Sequence, residues 1–382
     1  MPKHGVFVSE AATSVSTPIV AAVGIPFVVG KAPLADAEHA ATAGTPVLCS
    51  SWAEAEDKLG YSANWETYPI CEFMYSHFKI FGCQPVIFLP LSGEVDDAAV
   101  AAAFEKVELC LTMFGIVPDL LCAPGYSDQA TVIAAMAAKA NGINGMFKAM
   151  VLCDITAATV TAAITAKNSG TFGENTIVCW PLAKVGDMKF HMSTLLAGRI
   201  ASTDGDNGGI PYESPSNKAL NIEGICISDG TEVNMTLAEA NNLNAAGIVT
   251  ALNFMGSFVA WGNYTGAYPT KTDVKDAIIP VHRMFGWMGA SLIRTFWSKL
   301  DAPMNRRLID SILDSANIWL NGLVGAGYLL GARVEMLDEE NPVSNIMQGI
   351  IKLHIYMTPP SPAQEIDFEL EYDAEYVTTA LQ

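Results

Sequence analysis

Between residues 119 and 201, short apolar segments alternate with segments of helical length, and this order constrains the fold more than any other feature of the chain. Strands are predicted at 119–123, 147–153 and 176–180, and helices at 131–140, 157–167 and 190–201. Parallel strands need a crossover connection, which is usually a helix. The alternation therefore predicts βαβ units and a mostly parallel sheet.

Elements on the N-terminal side of this region continue the mixed pattern. Strands are predicted at 4–10, 23–30 and 85–89, and helices at 51–60, 68–81 and 98–114. Residues 11–20 are small, polar and β-branched, which indicates an extended arm. Pro26 has no amide hydrogen to give to a sheet, so we predict that its strand lies at an edge or contains a bulge.

The pattern changes in the last part of the chain. Residues 203–218 predict a long irregular loop, a kind of segment that is often functional or part of an interface. The remaining elements are predicted as a helix at 237–246, an extended segment at 247–249, helices at 272–298 and 305–322, and a strand at 348–357. We expect a multi-domain α/β protein (α+β overall), with a middle domain of βαβ units, a C-terminal α/β domain, and extended N- and C-terminal β-arms.

The C-terminal end has the clearest strand signal in the sequence. A proline-rich linker at 358–363 is followed by residues 365–376, in which apolar and acidic residues alternate with period two. The apolar face of this segment consists of Ile366, Phe368, Leu370 and Tyr372. A strand beyond a stiff linker is suited to pairing with another chain, although pairing within its own subunit is the alternative.

The charge balance restricts the partners of the chain. Its formal net charge is −19, a field that repels nucleic-acid phosphates and anionic membrane surfaces. The charged fraction is only 16%, which indicates either a large surface buried against other protein or an Ala-rich core. The acidic residues concentrate after residue 338, where they either solvate the tail or dock it on a basic partner.

Cysteine usage and hydropathy favour a soluble protein of a reducing compartment. None of the eight cysteines forms a CxxC pair, and several lie in apolar runs, so we expect buried free thiols. The start of the chain predicts a strand and no signal peptide. Two uncharged runs, 240–270 and 315–332, contain too many Asn and Gly residues to predict membrane spans.

No motif in the sequence predicts catalysis. P-loop, HExxH and GxSxG patterns are absent. Residues 325–331 and 204–209 only approximate a dinucleotide fingerprint and a calcium loop, and we interpret both as turns. His191 and His282 lie in helical segments and are expected to be structural. We therefore predict no catalytic, cofactor-binding or metal residues and no enzyme activity; the alternative is a hydrolase or nucleotide-binding enzyme with 203–218 as a lid.

Several sequence blocks follow one another along the chain: residues 5–10, 23–33, 117–125, 195–204, 214–218 and 259–265, then Asn341 and Gly349 on either side of a predicted strand, and finally 362–368. In this order and spacing they resemble the contractile phage tail sheath family, which includes the sheaths of R-type bacteriocins. One departure is Tyr264, where the family usually has Arg before the Thr of its Trp-Gly-x-x-Thr block.

The resemblance implies a division of the chain into four parts. Residues 1–20 would be an N-terminal arm whose strand is exchanged with a neighbour, and 21–265 an outer or middle α/β domain. Residues 266–362 would be an inner domain facing a tube, and 363–382 an arm that adds a strand to a neighbour. The implied inter-subunit residues are Val6, Val8, Ile366, Phe368, Leu370 and Tyr372.

The resemblance also implies a function. Such a subunit polymerises helically as stacked rings around a tail tube, and the sheath contracts to drive the tube through a target cell envelope. The implied partners are other copies of the chain, the tail tube protein, and baseplate and tail terminator proteins, without a cofactor, nucleic acid or membrane insertion. The implied location is a virion tail or tailocin particle assembled in the bacterial cytoplasm. The alternative within this class is another tail or baseplate component.

Overall fold

A computed structural model describes residues 17–83, 85–373 and 375–380. In chain order, its strands are β1 (Pro26–Lys31), β2 (Val47–Cys49), β3 (Val86–Leu91), β4 (Leu120–Cys122), β5 (Met150–Asp154), β6 (Thr176–Cys179), β7 (Leu182–Val185), β8 (Met188–Phe190), β9 (Gly224–Cys226), β10 (Ile248–Asn253), β11 (Phe258–Trp261), β12 (Gly331–Glu335) and β13 (His354–Thr358). Its α-helices are α1 (Trp52–Leu59), α2 (Ile70–Met74), α3 (Asp97–Ala103), α4 (Leu109–Phe114), α5 (Ala130–Ala140), α6 (Val160–Ser169), α7 (Met192–Asp206), α8 (Leu237–Ala245), α9 (Val274–Ala277), α10 (Ile279–Phe296), α11 (Arg306–Gly325), α12 (Val343–Met347) and α13 (Glu375–Ala380).

The largest sheet has, within the described residues, eight strands in the order β11-β10-β6-β5-β4-β1-β3-β2. The pairs from β3 through β1, β4, β5 and β6 to β10 are all parallel, and only the outermost strands β2 and β11 pair antiparallel. The described residues form two further sheets, one from β7, β8 and β9 and one from β12 and β13. The predicted α/β class with a mostly parallel sheet is confirmed.

The prediction for Pro26 is wrong. It is the first residue of β1, which lies in the interior of the sheet between β3 and β4, with Pro26 opposite Leu120. The start of a strand tolerates proline, because the missing amide there costs little of the ladder.

Helices cover both faces of the large sheet. On one face, α2 and α7 pack on the sheet around Phe73, Phe88 and Leu195, all fully buried. On the other face, α3 and α5 pack around Phe27 and Phe104. A third cluster of buried side chains joins α10, α11 and the β12–β13 sheet. The chain therefore has a three-layer unit and a smaller unit with a core of its own.

Several element boundaries differ from the sequence prediction. The helix predicted at 68–81 becomes π-helical over Tyr75–Ile80 after α2, and the one at 98–114 contains a 3₁₀ turn at Phe104–Glu108. The first residues of the loop predicted at 203–218 are helical, because α7 continues to Asp206. Strand β13 begins at His354, six residues later than predicted.

Candidate assembly site

The small C-terminal unit presents a two-stranded sheet against two helices. Ala332 and Val334 of β12 lie opposite Met357 and Ile355 of β13, and these four side chains belong to the cluster packed on α10 and α11. Side chains alternate across a strand, so Arg333 and its neighbours occupy the opposite face. A sheet of two strands has two edges, and either edge can accept a further strand unless it is covered.

The edge of β12 is covered by a side chain of α11. Asn317 Oδ1 accepts a hydrogen bond from the main-chain N–H of Val334 at 3.0 Å, and Asn317 Nδ2 donates to the carbonyl of Val334 at 3.2 Å. Both main-chain groups of Val334 therefore point away from β13. The outward groups of this edge are already paired at the centre of the strand.

The edge of β13 is not covered in this way. Because hydrogen-bonded and non-hydrogen-bonded pairs alternate in an antiparallel ladder, Ile355 and Met357, which face Val334 and Ala332, also direct their main-chain groups outward. Within residues 17–83, 85–373 and 375–380, these outward groups have no hydrogen-bond partner. This edge is therefore an open template for a strand.

An apolar groove runs beside the open edge. It has a volume of about 400 Å³. Its walls include Leu292 and Phe296 of α10, Leu308 and Ile312 of α11, and Leu353 and Ile355 at the start of β13. A dry cavity of about 150 Å³ holds one benzene ring, so the groove has room for at least two large apolar side chains.

The segment with the alternating pattern projects from the molecule. Residues 359–373 form neither helix nor strand, so the alternative of a strand paired within its own subunit is wrong for the described residues. The strand prediction also fails at its end, because Glu375 and Tyr376 begin α13. The four apolar side chains are almost fully exposed: Ile366 70%, Phe368 85%, Leu370 95% and Tyr372 80%.

The described chain starts on the same small unit. The main-chain N–H of Ile19 donates to Thr295 Oγ1 at 2.8 Å, and that of Ala21 donates to Ser291 Oγ at 3.0 Å. The indole of Trp287 donates to the carbonyl of Ala21 at 3.2 Å. These contacts fasten residues 19–21 to α10. Val6 and Val8 lie outside the described residues, so their predicted interface role stays a prediction.

A buried ion cluster joins the small unit to the large one. Arg283 of α10 is 5% exposed, and its guanidinium donates to Asp204 of α7 at 3.0 Å and to Asp119 at 2.9 Å. Asp119 Oδ1 also accepts the main-chain N–H of Ile25 at 2.8 Å. The cluster therefore holds α10, α7 and the starts of β1 and β4 in one arrangement.

The carboxyl edge of the large sheet, where α/β enzymes place their ligands, is occupied by the chain itself. At the end of β5, Asp154 accepts hydrogen bonds from Ser127 Oγ at 2.6 Å, from the N–H of Ser193 at 3.0 Å, and from Ser193 Oγ. Burial raises the pKa of Asp154. The two carboxylate oxygens of Asp154 accept three hydrogen bonds from the chain itself, so we assign this side chain a structural role.

The crevice beside β4, where the strand order reverses, is also filled. Gly125 follows β4 with φ +76°, and a Cβ built on it would lie 2.9 Å from Pro69, which precedes α2. This close approach leaves no space for a ligand at Gly125. The near-calcium pattern at 204–209 begins inside α7, so its acidic residues belong to a helix end.

Among the described residues, one group of possible metal ligands has suitable spacing. It consists of Glu38, His39 and Asp57 on the surface, where His39 Nδ1 lies 2.7 Å from Asp57 Oδ1. Exposed groups of this kind are common without an ion, so it assigns no metal. In the same described ranges, no helix combines the length and the apolar character that a bilayer crossing needs.

His191 is paired with a buried carboxylate. Its Nδ1 lies 2.8 Å from Glu72 Oε2, and its main-chain N–H donates to Glu72 Oε1 at 2.7 Å. Burial alone would lower the pKa of His191, but the Glu72 carboxylate outweighs burial and raises it to about 9. The other predicted structural histidine, His282, has partners at both ring nitrogens.

The His191–Glu72 pair predicts a pH dependence of stability. Because the folded pKa lies above the unfolded value of about 6.5, the pair stabilises fully below that pH, and the contribution is lost as pH rises to about 9. Because His191 is 29% exposed, solvent screens part of the interaction, and we expect the free energy of unfolding to fall by on the order of 1–2 kcal/mol over this range. Urea unfolding across this range measures it. Glu72→Gln should flatten the profile, and parallel profiles of the two proteins would contradict the assignment.

Comparisons with known proteins agree with this arrangement. The chain is 27% identical over 367 residues to a putative prophage major tail sheath protein of Pseudomonas aeruginosa, with 90% of each protein covered. It is also 27% identical over 301 residues to the tail sheath protein of Burkholderia phage BcepMu. That match covers 75% of this chain and 62% of the phage protein, so the chain spans less than two thirds of that relative. No protein-family model matches the chain.

The fold matches a sheath complex of an extracellular contractile injection system, PVC, solved in the contracted state. The TM-score is 0.74 at 17% identity, with 98% of this chain and 99% of that chain covered. The chain is similar in sequence to tail sheath proteins and similar in fold to a contractile sheath subunit. The resemblance found in the sequence is thereby confirmed, and a tail sheath relationship favours a structural role over an enzymatic one.

Proposed function

We propose that this chain is the structural subunit of a contractile tail sheath, which polymerises helically around a tail tube and contracts to drive the tube through a target cell envelope. The observation that carries the proposal is the exposed alternating segment 365–372, in a chain related to sheath proteins along most of its length. When such a segment binds a different surface on the next copy of the chain, the contact is head-to-tail, and head-to-tail contacts that do not close into a ring generate helical polymers.

The exposed apolar face explains why polymerisation would be favourable. Burying an apolar side chain of this size stabilises by about 1.5–3 kcal/mol, so the four side chains together offer several kcal/mol to a joint between subunits. Main-chain hydrogen bonds to an acceptor sheet add to that and fix the register. In an isolated subunit the same surface is exposed to water, and it is a liability unless assembly covers it.

The four-part division is part of the proposal. Residues 1–20 and 363–382 act as arms, 21–265 as the outer domain, and 266–362 as the inner domain next to the tube. The two-core architecture supports the division into two units, and the Arg283 cluster supports their movement as one body. Contraction would then rotate whole subunits while the strand joints persist.

The remaining partners follow from the same proposal. The subunit would contact the tail tube protein on its inner side, and baseplate and terminator proteins at the ends of the sheath. It would be assembled in the bacterial cytoplasm into a virion tail or a tailocin particle. This proposed function is structural and requires no enzyme activity.

Removal of residues 365–382 tests the proposal. The full chain is expected to form hollow tubes or short cylinders as its concentration rises, alone or on the cognate tube and baseplate, and the truncated chain is expected to stay dispersed. Negative-stain electron microscopy distinguishes these results. The segment contributes no strand or core residue within the described chain, so the truncated protein should keep the thermal transition of the full chain.

A matched control separates loss of the strand from loss of its apolar face. Replacing Phe368 and Leu370 together with serine keeps the length, charge and main chain of the segment, and it should also abolish tubes. Replacing Glu369 and Glu371 with glutamine changes the other face and should leave tubes intact. Tubes formed by the truncated protein would contradict the role of the segment, and no tubes from the full chain with tube and baseplate present would contradict the function.

A further inference from the structure

We propose that His77 makes the subunit responsive to acid: residues 70–81, which comprise α2 and the π-helical turn after it, are packed on the large sheet at neutral pH and open in mildly acidic solution. We call residues 70–81 the α2 segment. The proposal concerns the single subunit, so it does not depend on the proposed function. Three observations support it: a buried ring without hydrogen bonds, an irregular helical turn, and a chain interruption on either side.

His77 is buried among aromatic side chains. It is 1% exposed, its ring stacks on Phe73 with the centroids 5.4 Å apart, and the ring of Phe78 meets it edge-on at 5.9 Å. Within the described residues, neither ring nitrogen has a hydrogen-bond partner. A neutral imidazole can donate one hydrogen bond and accept another, so this burial already costs free energy. A charge on the same ring would cost far more.

In the part of the chain that the structure describes, no carboxylate offsets a charge on His77. The titratable residues on the elements around it are Cys71 and Glu72 on α2, Tyr75 and Lys79 on the turn, Cys83 after it, Glu54, Glu56, Asp57 and Lys58 on α1, His191 before α7, and Arg199, Asp204 and Asp206 on α7. Strand β3, which packs on the segment through Phe88, carries none. Burial alone lowers the pKa of His77, to about 3.

The turn that carries His77 is irregular and lies between two interruptions of the chain. Residues Tyr75–Ile80 are π-helical, a rare conformation that is frequently found at functional sites. Pro69 precedes α2, and Gly82 follows the turn with φ +64°. Such positions can absorb a change of main-chain direction, so the α2 segment can move without unwinding the elements on either side.

The contact between the α2 segment and α7 contains further unpaired polar groups. In the described chain, the buried hydroxyls of Ser76 and of Thr194 on α7 form no hydrogen bond. Opening would give these hydroxyls and the ring of His77 access to water, which lowers the cost of the open state. Apolar packing keeps the segment closed: the ring of Phe81 lies so near Gly198 of α7 that a Cβ built there would be 2.3 Å from it.

The direction of the pH dependence follows from the two states of His77. In the open or unfolded chain its pKa has the ordinary value of about 6.5, whereas in the closed state the pKa is about 3. The stability that the neutral ring allows is therefore fully present above pH 6.5 and is lost as pH falls towards 3. This is opposite to the His191–Glu72 pair, whose contribution is lost as pH rises.

The test compares the unchanged full chain with His77→Leu, which keeps an apolar side chain and cannot be protonated. Urea unfolding is followed by tryptophan fluorescence at pH 7.5 and 5.0, both above the pI of about 4.6 and at concentrations too low for tubes. Between these pH values, we expect the unfolding constant of the unchanged protein to rise roughly 30-fold more than that of the variant. A difference below about threefold would overturn the proposal.

Two further variants control for packing and for the loss of any histidine. His77→Phe keeps a ring beside Phe73 and should follow the same pH profile as His77→Leu, and it replaces that variant if leucine prevents folding. His39→Leu removes a histidine whose side chain is 73% exposed, and it should stay within roughly threefold of the unchanged protein at both pH values. A profile of His77→Phe that matches the unchanged protein would contradict the role of the ring.

Hydrogen exchange locates the opening. After correction for the intrinsic pH dependence of exchange, protection of the α2 segment should fall roughly tenfold or more between pH 7.5 and 5.0, relative to α5 on the opposite face of the sheet. In His77→Leu the two regions should change by the same factor. An equal loss of protection in both regions of the unchanged protein would overturn the opening of the α2 segment, even if the unfolding constants behave as expected.

Discussion

Replacement of Arg283 with methionine should destabilise the chain by about 3–5 kcal/mol. The guanidinium is the only cation in contact with Asp204 within the described residues, and it shares Asp119 as a second partner. Methionine carries no charge, so the buried Asp204 carboxylate and the partly exposed Asp119 carboxylate would both lie beside an apolar side chain. A buried charge left without its partner is far more costly than a lost surface pair.

Equilibrium unfolding in urea, followed by tryptophan fluorescence and by circular dichroism, measures this effect. The matched control is Arg306→Met, since Arg306 pairs with Asp310 one helical turn away on the surface of α11 and is 87% exposed. That substitution should change stability by only about 0.3–0.5 kcal/mol. A loss from Arg283→Met no larger than the control would show that the cluster does not join the two units energetically.

Gly125→Ala should destabilise the chain by about 2–5 kcal/mol. Two effects add at this position. An alanine at φ +76° places its Cβ in a conformation that L-residues avoid, and that Cβ would lie 2.9 Å from two carbons of Pro69. The start of α2 would have to move away from β4 to relieve the contact.

Gly115→Ala separates the two effects. Gly115 ends α4 with φ +69°, and a Cβ there meets no atom within 4 Å. Its substitution should therefore cost only the backbone effect, about 1–2 kcal/mol. Comparison of the two variants by urea unfolding gives the cost of the Pro69 contact. Equal losses would mean that the crevice beside β4 is not tightly filled.

The parallel sheet was predictable because its signals are local. Helix α1 (Trp52–Leu59) matches the helix predicted at 51–60, and Ser51 caps its start while Gly60 follows its end. Strands β7 to β9 were missed because three- and four-residue strands are too short to show a period of two. Strand β12 was missed because Gly331 and the preceding uncharged run suggested a turn, whereas pairing with the distant β13 makes it a strand.

The candidate site was only half predictable. The exposed segment 365–372 could be predicted from the alternation of Ile366, Phe368 and their neighbours, because this pattern is visible without knowledge of the fold. The acceptor depends on contacts between distant residues: Asn317 reaches Val334 from another element, and Arg283 reaches Asp119 across 164 positions. Such pairings are decided by packing, and no residue type at these positions signals them beforehand.

The irregular stretch between β13 and the arm also limits how far assembled subunits can separate. Residues 359–364 are six residues without helix or strand. A fully extended chain covers about 3.3–3.6 Å per residue, so the seven steps from Thr358 to Glu365 span at most roughly 25 Å. If the neighbour keeps hold of the arm, its acceptor edge must stay within that radius of Thr358 at every stage of contraction. The length of these tethers would then set the largest displacement between neighbouring subunits that contraction can produce without breaking the strand joints.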